Sequence, residues 1–141
     1  MALSITFSKG GQVSQIKGKM NMDKYTLSKG AGRTKVNLAA SRMGSDLVVR
    51  IYNENAHIGA VAVGEYDDRE KRTSCSVITR LGHKDDTVAQ EAARSISRRT
   101  KWTVCVVVGI HLDRITAAEI DSILENARNL VAQLCLGCNE P

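Results

Sequence analysis

Three histidines in this chain share one kind of setting. His57 opens "HIGAVAVG", His83 lies in "LGHKDD", and His111 lies in "GIHLD". A glycine stands close to each (Gly59, Gly82 and Gly109), and Asp113 follows His111 by two residues. Imidazole beside carboxylate suits proton transfer, hydrogen bonding to a ligand, or metal ligation, and imidazole changes charge near neutral pH. A histidine taken alone is ordinarily a polar surface group or a hydrogen-bonded core group. His83 and His111 gain interest because each stands just ahead of an expected helix start, where backbone N–H groups without helical partners favour anions. Arg80 and Lys84 add positive charge for a phosphate, whereas Asp85 and Asp86 would repel one and serve equally well as caps. Two chemistries stay open at this point. One is a phosphate gripped by loop amides and Lys84, and the other is a cation held by histidine and carboxylate.

Other catalytic patterns are thin. There is no H-x-x-x-H, no H-E-x-x-H, no paired C-x-x-C knuckle and no glycine-rich phosphate loop. The single C-x-x-C, "CLGC" (Cys135 to Cys138), falls at the end of the last helix, where a thioredoxin-type motif does not belong. Its reading is structural. Cys75 and Cys105 fall within strands and read as small core residues. Ser74 and Ser76 lack a G-x-S-x-G elbow.

The elements that must position these groups fall into two halves. "LSITF" alternates, "SKGGQ" and "SKGAGR" read as hairpin corners, and "TKVNLAA", "DLVVRIY", "HIGAVAVGEY" and "TSCSVITR" read as strands. Short polar joints between them predict an antiparallel meander. The second half opens with "TVAQEAARSISRRT", a helix with a capping-box pattern at Thr87 and Gln90 and a narrow stripe of Val88, Ala92 and Ile96. "WTVCVVVG" is apolar on both sides and predicts a central strand covered on both faces. The last helix, Thr116 to Leu134, has a second capping box (Thr116, Glu119) and an unbroken stripe from Ile120 to Leu134. The fold class expected is α+β: a mostly antiparallel sheet of six to seven strands with two helices packed on it. Two helices cannot cover both faces of such a sheet, so one face is left for a partner subunit or a ligand.

A chain of 141 residues makes a single domain, 1–141, with a core that needs no metal or disulfide staples. No apolar run approaches the ~20 residues of a membrane helix, and the start carries no secretory signal. A cytoplasmic protein with free thiols and no membrane association is the expectation. Net charge is +5 but uneven: residues 1–50 hold nine Lys or Arg against two Asp. That basic half fits either a phosphate-bearing ligand or a solvated strand face. Only Phe7 and Tyr25 are aromatic within it, too few for base stacking, so nucleic acid is not expected.

"GRTKVNLAASRMGSDLVVRIYN", "HIGAVAVG", "LGHKDDTVAQEAARSISRRTKWTVCVVVGIHLD" and "ITAAEIDSILEN" together resemble the LpdD-like family of prenylated-flavin chaperones. The helix–strand portion is also similar to small proteasome assembly chaperones. The resemblance implies a proteasome-assembly-chaperone-like fold and a homodimer. It implies a protein that binds prenylated FMN as cargo and helps deliver it to a UbiD-type decarboxylase, with a flavin prenyltransferase as a further partner. Such a protein is an accessory factor, not an enzyme, and no residue is assigned to a metal. Placed on the matching motifs, the cofactor contacts expected are His57, His83 and His111, with Asp113 orienting an imidazole. Gly59 and Gly109 would let the ring approach the backbone, and Arg80 and Lys84 would meet the phosphate. The rival readings are a protein-assembly chaperone without a small ligand and a metal-dependent enzyme built on the three histidines.

Overall fold

The computed structural model describes residues 3–9, 12–18, 25–80 and 85–138, with side chains from residue 25 onward. His83 and Lys84 lie outside the described residues, as do the glycines of the "SKGGQ" corner. Strands β1 (Leu3–Lys9) and β2 (Gln12–Gly18) pair antiparallel as a separate two-stranded sheet. The main sheet is built from β3 (Tyr25–Lys29), β4 (Val36–Met43), β5 (Asp46–Tyr52), β6 (Ala60–Asp67), β7 (Arg72–Thr79) and β8 (Val104–Gly109). Helix α1 (Asp86–Thr100) joins β7 to β8, and α2 (Ala117–Gly137) closes the chain. The architecture is the α+β one expected, a mostly antiparallel six-stranded sheet with two helices.

The meander holds for β3–β4–β5 and for the β6–β7 hairpin, but the two do not join directly. β8 enters between them, parallel to β5 and antiparallel to β6, giving the order β3-β4-β5-β8-β6-β7. A strand lying parallel to β7 with β6 between them needs a long crossover, and α1 supplies it. No described helix is long and apolar enough to cross a membrane.

Alternation sorts each strand into two faces. Leu38 and Ala40, Leu47, Val49 and Ile51, Ala60 and Ala62, and Val104, Val106 and Val108 are all buried on the face that carries the helices. α1 lies over β6, β7 and β8, whereas α2 lies over β3 and β4. α1 meets the sheet through Ala89, Ala92, Ala93 and Ile96, and it sits so close that a Cβ on Gly64 would be 2.6 Å from the Ala93 carbonyl oxygen. α2 contributes Leu130 and Leu134, both fully buried. Each such Leu contributes about 1.5–3 kcal/mol by leaving water.

Among the described residues no helix lies on the opposite face. Cys105 and Val107 point there and are half-buried, so the central strand is covered on one side only, contrary to the two-sided expectation. Cys105 therefore lies on the open face rather than in the core, while Cys75 packs at the edge of the core from β7. Val63 and Ile78 are exposed on the same open face, Ile78 at 73%. At the first helix, Thr87 is not the cap. The helix starts at Asp86 with Asp85 before it and no side-chain cap bond, because the Asp85 carboxylate accepts from the Ile110 N–H instead. The second capping box forms as expected between Thr116 and Glu119.

Candidate functional site

Strand polarity gathers four connections at one end of the main sheet. β5 and β8 run parallel and both finish there; β4 and β6, antiparallel to them, both start there. Residues 30–35, 53–59, Arg80, Asp85 and residues 110–116 consequently border one region, and so do the starts of both helices. Chemistry-bearing residues far apart in sequence meet because of this strand order.

At the centre stand two imidazoles. The rings of His57 and His111 lie 5.3 Å apart, edge to face at 63°. His111 Nε2 is 3.0 Å from Asp113 Oδ1, so the carboxylate fixes the ring's orientation from the far side. The backbone of His111 is held in turn by Asn53, which is buried. The Asn53 amide donates to the His111 carbonyl at 2.7 Å, and the His111 N–H donates to Asn53 Oδ1 at 3.1 Å. The two glycines have packing reasons of their own. A Cβ on Gly109 would strike the His57 carbonyl, and one on Gly59 would strike the Asp85 carboxylate. Gly59 N–H donates to the Val108 carbonyl at 2.8 Å, tying the 53–59 connection to β8. Arg80 donates from Nη1 to the Ile58 carbonyl at 2.9 Å, and its backbone N–H donates to the Gly59 carbonyl. Six of the eight expected contacts (His57, Gly59, Arg80, Gly109, His111 and Asp113) thus border one corner, and His83 and Lys84 lie outside the described residues.

Two cavities flank the histidine pair. One, about 260 Å³, opens on the helix-free face between Arg50, Tyr52, His57, Ile58, Val107 and Gly109. The other, about 860 Å³, is lined by Arg33, Lys35, Asn37, Asn55, His111 and Asp113. They share Tyr52, Asn53 and Glu54 as a common wall. The Arg50 guanidinium lies 5.5 Å from the centre of the Tyr52 ring, so a planar cation and an aromatic face stand side by side on the open sheet. Ligand sites of roughly 300–1,000 Å³ suit cofactor-sized molecules. The larger cavity alone falls within that class.

Beside the larger cavity, Arg33 Nε donates to Glu119 Oε2 at 2.7 Å, and Nη2 donates to the Asp113 carbonyl at 2.7 Å. The Arg33 guanidinium, and after it the Thr116 backbone N–H of the capping box, hold the Glu119 carboxyl down at about 2. The α2 start is thus filled by its own cap. Among the described residues no three His, Cys, Asp or Glu side chains gather closely enough to hold a metal. The "CLGC" thiols are buried in the last turn of α2, and burial raises the Cys135 pKa.

Tyr52, Asn53, Arg33 and Lys35 were not singled out by the sequence. Tyr52 had a signal: an aromatic on the polar face of a strand, beside Arg50 and directly ahead of an Asn. Asn53 sits in "NENA", whose composition reads as a turn and hides the one buried member.

The family described as "Prenylated flavin chaperone LpdD-like domain" matches this chain over residues 30–138. Among solved structures, the crystal structure of a chaperone complex for yeast 20S proteasome assembly contains a similar chain. The two share a TM-score of 0.55 at 15% identity, over 83% of this chain and 99% of that one. At that identity the likeness concerns the fold. No curated protein matches the chain.

Proposed function

Since the chain belongs to the LpdD-like prenylated-flavin chaperone family, we propose that it carries prenylated FMN, with the flavin ring held beside the His57–His111 pair. The single observation that carries this reading is the pair itself, flanked by two cavities with a common wall. A flavin needs an apolar face for its tricyclic ring and a few hydrogen-bonding groups at its polar edge. Val107 and Ile58 offer the face and Tyr52 an aromatic wall. His57 and the Asp113-oriented His111 offer the edge contacts. Gly59 and Arg80 hold the 53–59 connection in place, and His83 and Lys84 complete the proposed set from the 80–85 connection.

In this reading the protein is an accessory factor. It receives the modified flavin from a flavin prenyltransferase and hands it to a UbiD-type decarboxylase in the cytoplasm, and it performs no decarboxylation. It works as a homodimer, the second copy covering the sheet face that the helices leave open. The exposed Val63 and Ile78 support that arrangement, since apolar residues concentrated on one sheet face are a feature of interfaces.

The test is direct. The protein is co-expressed with a flavin prenyltransferase and purified, and its visible spectrum and the mass of any bound small molecule are recorded. Prenylated FMN at about one per chain is expected. Colourless protein, free of that mass at saturating supply, overturns the reading.

A further inference from the structure

The basic first half of the chain has no part in the contacts above, yet two of its cations reach the same end of the sheet. The 30–35 turn that bears them is fixed to α2 at three points. Gly30, at φ +86°, passes so close to Asn126 that a Cβ would run into its amide group. The Asn126 amide donates to the Thr34 carbonyl at 3.0 Å, and Arg33 is anchored by Glu119 and the Asp113 carbonyl. With Nε and Nη2 so used, Arg33 Nη1 makes no hydrogen bond among the described residues, and the Lys35 ammonium makes neither a hydrogen bond nor an ion pair there. Both residues line the larger cavity.

Sheet geometry sets their reach. Gly109, Tyr52 and Asn37 are direct neighbours across β8, β5 and β4, and Lys35, extended and just ahead of β4, lies two residues before Asn37. With strands about 4.8 Å apart and about 3.4 Å per residue along them, Gly109 and Lys35 are separated by about 12 Å. Seven bonds join a flavin ring to its phosphorus, a span of about 9 Å when extended, and the long flexible Lys35 side chain covers the remainder.

We propose that Lys35 and the Nη1 of Arg33 form the phosphate seat, so that the ligand crosses the Tyr52 wall with its ring beside the His57–His111 pair and its phosphate in the larger cavity. This rests on the proposed flavin cargo. The competing seat contains Arg80, whose Nη1 is already used on the Ile58 carbonyl and which lines neither cavity. Two carboxylates face the same space. Asp113 is engaged by His111, while Glu54 has no ion pair among the described residues and opposes the phosphate. Charge-assisted contacts to phosphate are the strong class of hydrogen bond, so losing one of them has a measurable effect.

Binding of prenylated FMN and of its phosphatase-treated, dephosphorylated form is measured by fluorescence titration on wild type, Lys35→Ala, Arg80→Ala and Glu54→Gln. Wild type is expected to prefer the phosphorylated form by about tenfold or more. Lys35→Ala should reduce that preference about tenfold with unchanged affinity for the dephosphorylated form, Glu54→Gln should raise it, and Arg80→Ala, which releases the Ile58 carbonyl, should weaken both forms alike and so leave the preference unchanged. Lys35 makes no contact whose loss would unfold the turn, so the variant isolates charge. An unchanged preference in Lys35→Ala, or one abolished by Arg80→Ala, overturns the seat while leaving the flavin reading intact. A protein that binds neither form refutes the flavin reading. In that event, amide NMR shifts on titrating inorganic pyrophosphate decide the seat. Shifts confined to residues 33–37 support it, and shifts elsewhere or none overturn it.

Discussion

Asn53→Ala separates the group that builds the site from the group that uses it. Asn53 is 6% exposed and spends its amide on both backbone groups of His111. An intramolecular hydrogen bond contributes about 1 kcal/mol net, so losing two costs about 2 kcal/mol. His111 is itself exposed, and water can reach the groups left behind, which keeps the figure near that sum. For a domain of about this size each kcal/mol moves Tm by about 2–4 °C, giving a fall of about 4–8 °C. His111→Ala is the matched control. It removes the imidazole with its exposed ion pair to Asp113, worth little to stability, and keeps both backbone bonds to Asn53. Thermal melts followed by circular dichroism should place His111→Ala within about 1 °C of wild type, on the usual scale of surface substitutions. Both variants should bind flavin more weakly. An Asn53→Ala melt indistinguishable from wild type, or an equal fall in His111→Ala, refutes the idea that Asn53 builds the corner and His111 only serves it.

Gly64→Ala should cost about 1–3 kcal/mol by overpacking, since the new methyl would meet the Ala93 carbonyl and the Ser97 Cβ, and α1 would have to lift; chemical denaturation measures it. Acid should weaken the α2 start. The folded Glu119 carboxyl is depressed to about 2, so its contribution is complete above its ordinary value of 4.5 and is lost as pH falls from there toward 2. Melts of wild type and Glu119→Gln should therefore differ most at pH 6, with the gap narrowing below pH 4.5 and closing only toward pH 2. A constant gap over that window would contradict the assignment. Glu91, lowered by the Arg128 guanidinium, titrates in the same direction in both proteins and cancels from the comparison.

Much of this fold is legible in the sequence, and the exceptions share a cause. The α2 stripe and its capping box, and the alternation of β5, report purely local relations between a residue and its own element. The place of β8 does not. Periodicity shows that Val104, Val106 and Val108 bury one face, but not that this strand slides between β5 and β6. Apolar Cys105 and Val107 on its other side look the same whether a helix or a second molecule covers them, which is why cover on both faces was expected without its source being legible. Thr87 carries a capping-box pattern, yet Asp85 sets the helix start and turns its carboxylate to Ile110, a tertiary contact that no local pattern contains. The candidate corner was half legible. The glycine–histidine strand ends were visible as motifs, and His57 does meet His111. Tyr52, Asn53 and Lys35 join them only through strand order.

The central claim is that the flavin lies against the His57–His111 pair. Imidazole resonances of ¹⁵N-labelled protein, followed by NMR while prenylated FMN is added, test it most directly. The account predicts that the His57 and His111 signals both move, with one shared Kd equal to that from flavin fluorescence, and that Asn53→Ala weakens this response. Saturating flavin that binds while both imidazole signals stay where they were would contradict it.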